Sequence, residues 1–259
     1  MKYFLGLFLL LIAIPAQAAS ISPVSSLQSG DLIRGESFSA VYYFGEDGLR
    51  YVFPNDKTYF TWYTNFNNVK WLSDKNLATI QIGGNVTYKP GVKMIKINSD
   101  PKVYAVSTNG TLHPVVSESV AIALYGTNWN KKIDDVPDGF FSNYTIDAPI
   151  ELASQYSVQA EQDDATSINA DKHLEKPTIV SISDSGYTPP TITINSDTAV
   201  KFINTGTTNQ SASEWDGMWG TGTLKPGQHF TRYFAEKGVW TYFSKYTPKT
   251  TMTGSIIVK

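Results

Sequence analysis

The chain has 259 residues, with 21 lysines and arginines against 23 acidic residues, and it contains no cysteine. A near-neutral balance without a basic tract argues against nucleic acid and anionic membrane as partners. The missing thiols exclude a disulfide framework, a cysteine nucleophile, thiolate zinc and blue copper, so stability must come from apolar burial. The 15 tyrosines, 13 phenylalanines and 6 tryptophans suit β-rich packing.

Lys2, an apolar run over residues 3–14, Pro15 and Ala16-Gln17-Ala18 have the order of a secretory signal peptide, assigned to residues 1–18. The run is well short of the ~20 residues that span a bilayer, and an uncleaved anchor is the alternative reading. The expectation is an exported chain, secreted or associated with the cell surface, with no membrane span in its mature part.

Residues 28–147 contain an internal duplication. Val41-Tyr42 recurs as Val103-Tyr104, Asp47-Gly48 as Asn109-Gly110 and Tyr63 as Tyr125, each 62 positions apart. Slightly shifted, Phe66 matches Trp129, Val69 matches Ile133, Leu72 matches Val136 and Asp74 matches Asp138. Each half predicts a hairpin turning at Asp-Gly or Asn-Gly, because those dipeptides tolerate positive φ. A helix follows in each, behind Asn55 in the first and between Ser117 and Gly126 in the second. Asp74 and Asp138 open a second short helix, with Leu77 and Phe141 as packing residues. The expectation is an α+β domain of two hairpin–helix repeats with pseudo-twofold symmetry. This pattern resembles an uncharacterised repeat of exported bacterial proteins, often found beside surface-associated modules. The resemblance implies extracellular placement and a binding or spacer role.

Residues 148–175, with Glu161-Gln162-Asp163-Asp164 and Asn169-Ala170-Asp171-Lys172, show no strand alternation and few large apolar side chains. They predict an exposed linker, flexible or weakly helical.

From residue 176 to 259 short alternating segments predict strands over 178–183, 191–194, 199–204, 229–234, 239–243 and 255–259. Asp184-Ser185-Gly186, Asn195-Ser196-Asp197 and Lys225-Pro226-Gly227 supply the turns, and the pattern is that of an all-β sandwich. Ser185-Gly186-Tyr187-Thr188-Pro189, Val200-Lys201-Phe202-Ile203-Asn204, Leu224-Lys225-Pro226-Gly227-Gln228, Gly238-Val239-Trp240-Thr241-Tyr242 and Gly254-Ser255-Ile256-Ile257-Val258 follow one another in order. This series resembles the cupredoxins, copper proteins that hold their metal with two histidines, a cysteine and a methionine. The resemblance places the first histidine position near Asn209, the cysteine position at Ser244, the second histidine position near Thr247 and the methionine at Met252. Only Met252 is of a ligand type, in a loop longer than the family's. Copper needs thiolate and imidazole in a fixed arrangement, so the site reads as degenerate, with no cofactor. A relocated metal site at His229 with nearby carboxylates is the alternative.

Trp215, Trp219 and Tyr246 are the candidate binding residues, since exposed aromatics give large rigid contact area; filling the sandwich is the other reading for the tryptophans. Asp134, Asp135 and Asp138 lack the oxygen-ligand spacing of a calcium loop, and no catalytic fingerprint is present. The sequence therefore predicts a non-catalytic binding or structural module whose partner is an extracellular protein or a glycan. The alternative is a copper-binding electron-transfer protein with a non-standard site.

Overall fold

A computed structural model of the chain describes residues 21–259. The segment 1–18, expected to be a signal peptide, lies outside the described residues. No helix among the described residues is long and apolar enough to cross a membrane.

The first sheet contains β1 (Leu32–Gly35), β2 (Val41–Phe44) and β3 (Arg50–Val52), which run antiparallel to one another. The chain then forms α1 (Asp56–Trp62), β4 (Val69–Leu72), α2 (Asp74–Ala78) and β5 (Ile82–Asn85). β4 returns parallel to β1 and β5 parallel to β3, giving the order β4-β1-β2-β3-β5. The second sheet starts with β6 (Met94–Ile97), β7 (Asp100–Ser107) and β8 (Thr111–Pro114). It continues through α3 (Glu118–Tyr125), β9 (Ile133–Val136), α4 (Asp138–Phe141) and β10 (Thr145–Ile146). Its order, β10-β8-β7-β6-β9, is that of the first sheet read from the other edge.

Local chemistry sets the helices. The Asn55 side chain accepts a hydrogen bond from the Thr58 amide to start α1, and Ser117 accepts from Val120 to start α3. Gly126, at φ 82°, stops α3 in a conformation that a side chain would oppose. Each sheet has its own apolar clusters, around Tyr43, Tyr51 and Tyr59 in the first and around Tyr104, Val106 and Leu112 in the second. Lys93, just before β6, and Lys96 on it pair with Asp134 and Asp135 on the neighbouring β9, which accounts for those two carboxylates.

The segment 148–175 differs from the expected exposed linker. It contains α5 (Val158–Asp164) and α6 (Ile168–Asp171), capped by the side chains of Ser157 and Ser167. Ile150, Tyr156, Ala165, Ile168 and Asp171 are buried, and Ile168 joins the core of the first sheet. The Asp171 carboxylate accepts from the Thr87 hydroxyl at 3.3 Å and from the Asn109 amide at 3.1 Å, so it ties this segment to both sheets.

Burial pushes Asp171 up from the ordinary 3.8 to about 6, against the opposing pull of Lys172. A raised acid favours folding most when it is protonated. Its contribution is present below the unfolded value and is lost as pH rises through about 6. Asp171→Asn mimics the protonated group. The variant is expected to exceed the wild type by up to about 3 kcal/mol near pH 7.5, and the gap should close by about pH 4. Denaturant melts of both proteins across that range are the check, and a gap independent of pH would refute the assignment.

The last third begins with β11 (Thr178–Ile182), β12 (Tyr187–Thr188), β13 (Thr191–Ile194) and β14 (Thr198–Asn204). It ends with β15 (Ser213–Glu214), β16 (His229–Phe234), β17 (Gly238–Phe243) and β18 (Thr253–Val258). These strands make two four-stranded sheets, β12-β11-β14-β16 and β13-β18-β17-β15. Val180, Ile182, Phe202, Tyr242 and Ile256 fill the space between them. This is the all-β sandwich the alternation predicts, with β12 and β15 as short additions too small to show in the sequence.

Candidate functional site

The residues that the resemblance would set at ligand positions lie on the loop after β14 and the loop between β17 and β18. The first loop is held by side chains. Asn204, at the end of β14, donates from Nδ2 to the Thr208 and Leu224 carbonyls at 2.8 and 2.7 Å and accepts from the Gly206 amide. Asp184 accepts from the amides and hydroxyls of both Thr207 and Thr208, over 2.6–3.1 Å. Those four donors hold its carboxyl well below the usual carboxylate range. A Cβ on Gly206 would come within 2.5 Å of Asp184 Oδ1, so the loop requires glycine there.

Beside this braced turn two neighbouring side chains part company. Asn209 is exposed, whereas Gln210 is buried and its backbone pairs with Leu224. The fully buried Ser244 hydroxyl donates to Gln210 Oε1 at 2.9 Å. Gln210, rather than the exposed Asn209, is therefore the residue of this loop that meets Ser244. Loop length alone cannot reveal this, because Gln210 is fixed by an isolated backbone bridge to Leu224 outside the regular strands.

The second loop is built on Ser244. Its hydroxyl accepts from the Tyr246 amide and its carbonyl from the Thr247 amide and hydroxyl, while its own amide donates to the Met252 carbonyl. The Lys245 amide reaches across to Ser211 Oγ at 2.9 Å. Met252 is buried and belongs to the apolar core cluster of the sandwich. The donors converging here are thus a carboxamide and two hydroxyls, all neutral and hard, beside one thioether. That set does not fit a copper ion, which needs thiolate and imidazole. Among the described residues, no three His, Cys, Asp or Glu side chains come together to hold a metal ion. His229 stands near Lys201 rather than carboxylates, and burial and that ammonium hold its imidazole below the ordinary range.

The three candidate binding aromatics separate. Trp219 is only 8% exposed and lies in the core, edge-on to Phe234 with ring centroids 5.2 Å apart and close to Phe202 and Tyr242. Its assignment to a binding surface is corrected: the chain turns at Asp216–Gly217 and sends this ring between the sheets. Trp215 is exposed at the sheet edge, packed on Phe243 and covered by Lys249, whose Nζ sits 4.0 Å from the ring centre. Tyr246 is also exposed and shares a hydrogen bond with Thr223 at 2.6 Å. Trp215 and Tyr246 remain available to a partner.

No family model and no curated protein matches the chain. Among solved structures, it is similar to a purple cupredoxin from Nitrosopumilus maritimus, at 19% identity over 32% of this chain and 99% of that one, with a TM-score of 0.29. It is also similar to a copper-containing nitrite reductase from Thermus scotoductus, at 21% identity over 33% of this chain and 23% of that one, with a TM-score of 0.31. A reduced amicyanin variant aligns at 22% identity over 32% of this chain and 82% of its own, with a TM-score of 0.30. Likenesses of this extent transfer neither an activity nor a metal to this chain.

Proposed function

We propose that this chain is an exported, non-catalytic binding or structural module of the cell surface or extracellular space. Its sandwich is cupredoxin-like with the metal site replaced by a hydrogen-bonded polar plug. The observation that supports this most is the pair Gln210 and Ser244, buried and bonded to each other at 2.9 Å at the end of the sandwich. Asp184 and Ser211 brace the two loops as acceptors and Asn204 as a donor to the Leu224 carbonyl. The two N-terminal sheets are two copies of one unit in this reading, supported by their common strand order and by the recurrence of Asn55 as Ser117 and of Asp56 as Glu118. The sandwich then serves as a rigid support, and the partner is an extracellular protein or a glycan.

The test is the thermal midpoint of the protein with and without excess Cu(II) or Zn(II). A ligand held only by the folded state at a hundredfold excess over its Kd adds about 2.7 kcal/mol, so a bound metal cannot stay hidden. No shift is expected, and a clear one would replace this reading with that of a metal protein using a non-standard site. The triple variant Gln210→His, Ser244→Cys, Thr247→His, beside the native Met252, is expected to gain an intense visible thiolate-to-copper absorption. A folded variant with no such band would sink the correspondence of these positions with ligand positions.

A further inference from the structure

Two grooves lie in the N-terminal part of the chain, the first lined by residues of the first unit with Phe140 of the second unit, the other by residues of the second unit. The first, about 440 Å³, lies between the strand pair β2–β3 and α1; the second, about 350 Å³, lies between β7–β8 and α3. They are lined by the same positions of the two units. Val41 and Val103 form the floor, with Phe53 and Val115 beside them. The helix-capping residues Asn55 and Ser117, followed by Asp56 and Glu118, form one rim, and Phe66 and Trp129 form the aromatic wall.

The first aromatic wall is unusual for a residue with only a structural task. Phe66 stacks on Tyr59 with ring centroids 4.3 Å apart, yet 48% of its surface faces water. Such exposure forfeits much of the stabilisation that burying a phenylalanine provides, on the order of 1–3 kcal/mol. The opposite rim carries an exposed carboxylate in both units, Asp56 and Glu118. No basic side chain lines the first groove, and Lys102 at the second is paired with Asp100 at 3.6 Å. Phosphate, nucleic acid and acidic polymers are therefore unsuited to these grooves. Aromatic side chains and exposed hydrogen-bonding groups lining one groove fit a ligand with a C–H face and outward hydroxyls, which is a sugar ring. Two such sites on one chain fit a ligand that presents the same unit repeatedly.

We propose that the two units hold equivalent saccharide subsites, which together grip a neutral polysaccharide. Phe66 and Trp129 stack on separate sugars of the same polymer, and Asp56 and Glu118 accept from their hydroxyls. The proposal rests on reading the chain as a binding module and does not depend on the state of the sandwich loops, so the metal tests above fail or succeed separately from it.

Affinity electrophoresis of the full chain in native gels containing hydroxyethyl cellulose, laminarin, mannan or glycol chitin tests it directly. Retardation is expected in at least one of these polymers and not with the matching monosaccharide at equal mass. Two linked sites multiply affinity by about 10²–10⁴, so Phe66→Ala or Trp129→Ala alone should weaken retention at least tenfold. The double variant should migrate as in a glycan-free gel. Thermal midpoints report whether these variants fold. Asp56→Asn with Glu118→Gln provides a second, solvent-facing pair, which should also weaken retention. Unretarded migration in all four gels overturns the proposal, as does retention unchanged by both sets of substitutions.

Discussion

Trp219→Ala is expected to destabilise the sandwich by about 3–5 kcal/mol, while Trp215→Ala costs under about 1 kcal/mol. The two tryptophans are four residues apart, but their surroundings are opposite. Trp219 packs against Phe202, Phe234 and Tyr242, which come from both sheets, so its removal opens a cavity that neither sheet can close alone. Arg232 also rests its guanidinium 5.8 Å from the same ring centre, and that contact would be lost. Trp215 sits at the edge of β15, where deleting it mainly frees Lys249 to solvent. The expected fall in thermal midpoint for Trp219→Ala is on the order of 10–20 °C for a domain of this size. If both variants melt together with the wild type, the packing described for Trp219 is wrong.

The same tryptophan shows what a sequence can and cannot carry. Strands β13 and β18 alternate buried and exposed positions, as at Ile192 and Ile194 against Thr191 and Thr193, and such a period is visible in the residues themselves. Trp219 lies in an irregular segment, where no period tells inward from outward. The burial of Gln210 is hidden for the same reason, because it goes with an isolated bridge to Leu224 rather than with a strand period. In the first two sheets the hairpins announced themselves through Asp47-Gly48 and Asn109-Gly110. The strands β4, β5, β9 and β10 did not, since their parallel pairing joins residues far apart along the chain. The 148–175 segment misled through composition. Its buried contacts are single residues, Ala165, Ile168 and Asp171, separated by polar neighbours, so no apolar face accumulates. Function was less legible than fold. Phe66 and Trp129 stood out as a repeated aromatic, but that they wall equivalent grooves is apparent only once the strands and helices are assembled.

Asp47→Ala is expected to cost about 3–5 kcal/mol and to uncouple the sandwich from the first sheet. Asp47 lies in the turn between β2 and β3 and is fully buried. Its Oδ1 accepts from the Leu49 amide at 3.0 Å, and its Oδ2 accepts from two tyrosine hydroxyls, Tyr51 of the same sheet and Tyr233 of β16 at 2.7 Å. Alanine would leave both hydroxyls without their acceptor, and each buried donor so stranded costs about 1–3 kcal/mol. The room for this arrangement is built in, because a Cβ on Gly83 would fall 2.5 Å from the Tyr51 ring. Nearby, Gln81 imitates a strand neighbour for β16, donating to the Thr231 carbonyl at 2.8 Å and accepting from its amide at 3.0 Å. The edge of the sandwich is thus joined to the first sheet by polar contacts of fixed geometry. Tyr233→Phe removes one of the donors and should cost less than Asp47→Ala. A double-mutant cycle between the two should return a coupling of at least about 1 kcal/mol. Calorimetry of Asp47→Ala should then resolve two melting steps in place of a joint one. Additive effects with an unchanged single transition would mean that the carboxylate does not join the two parts.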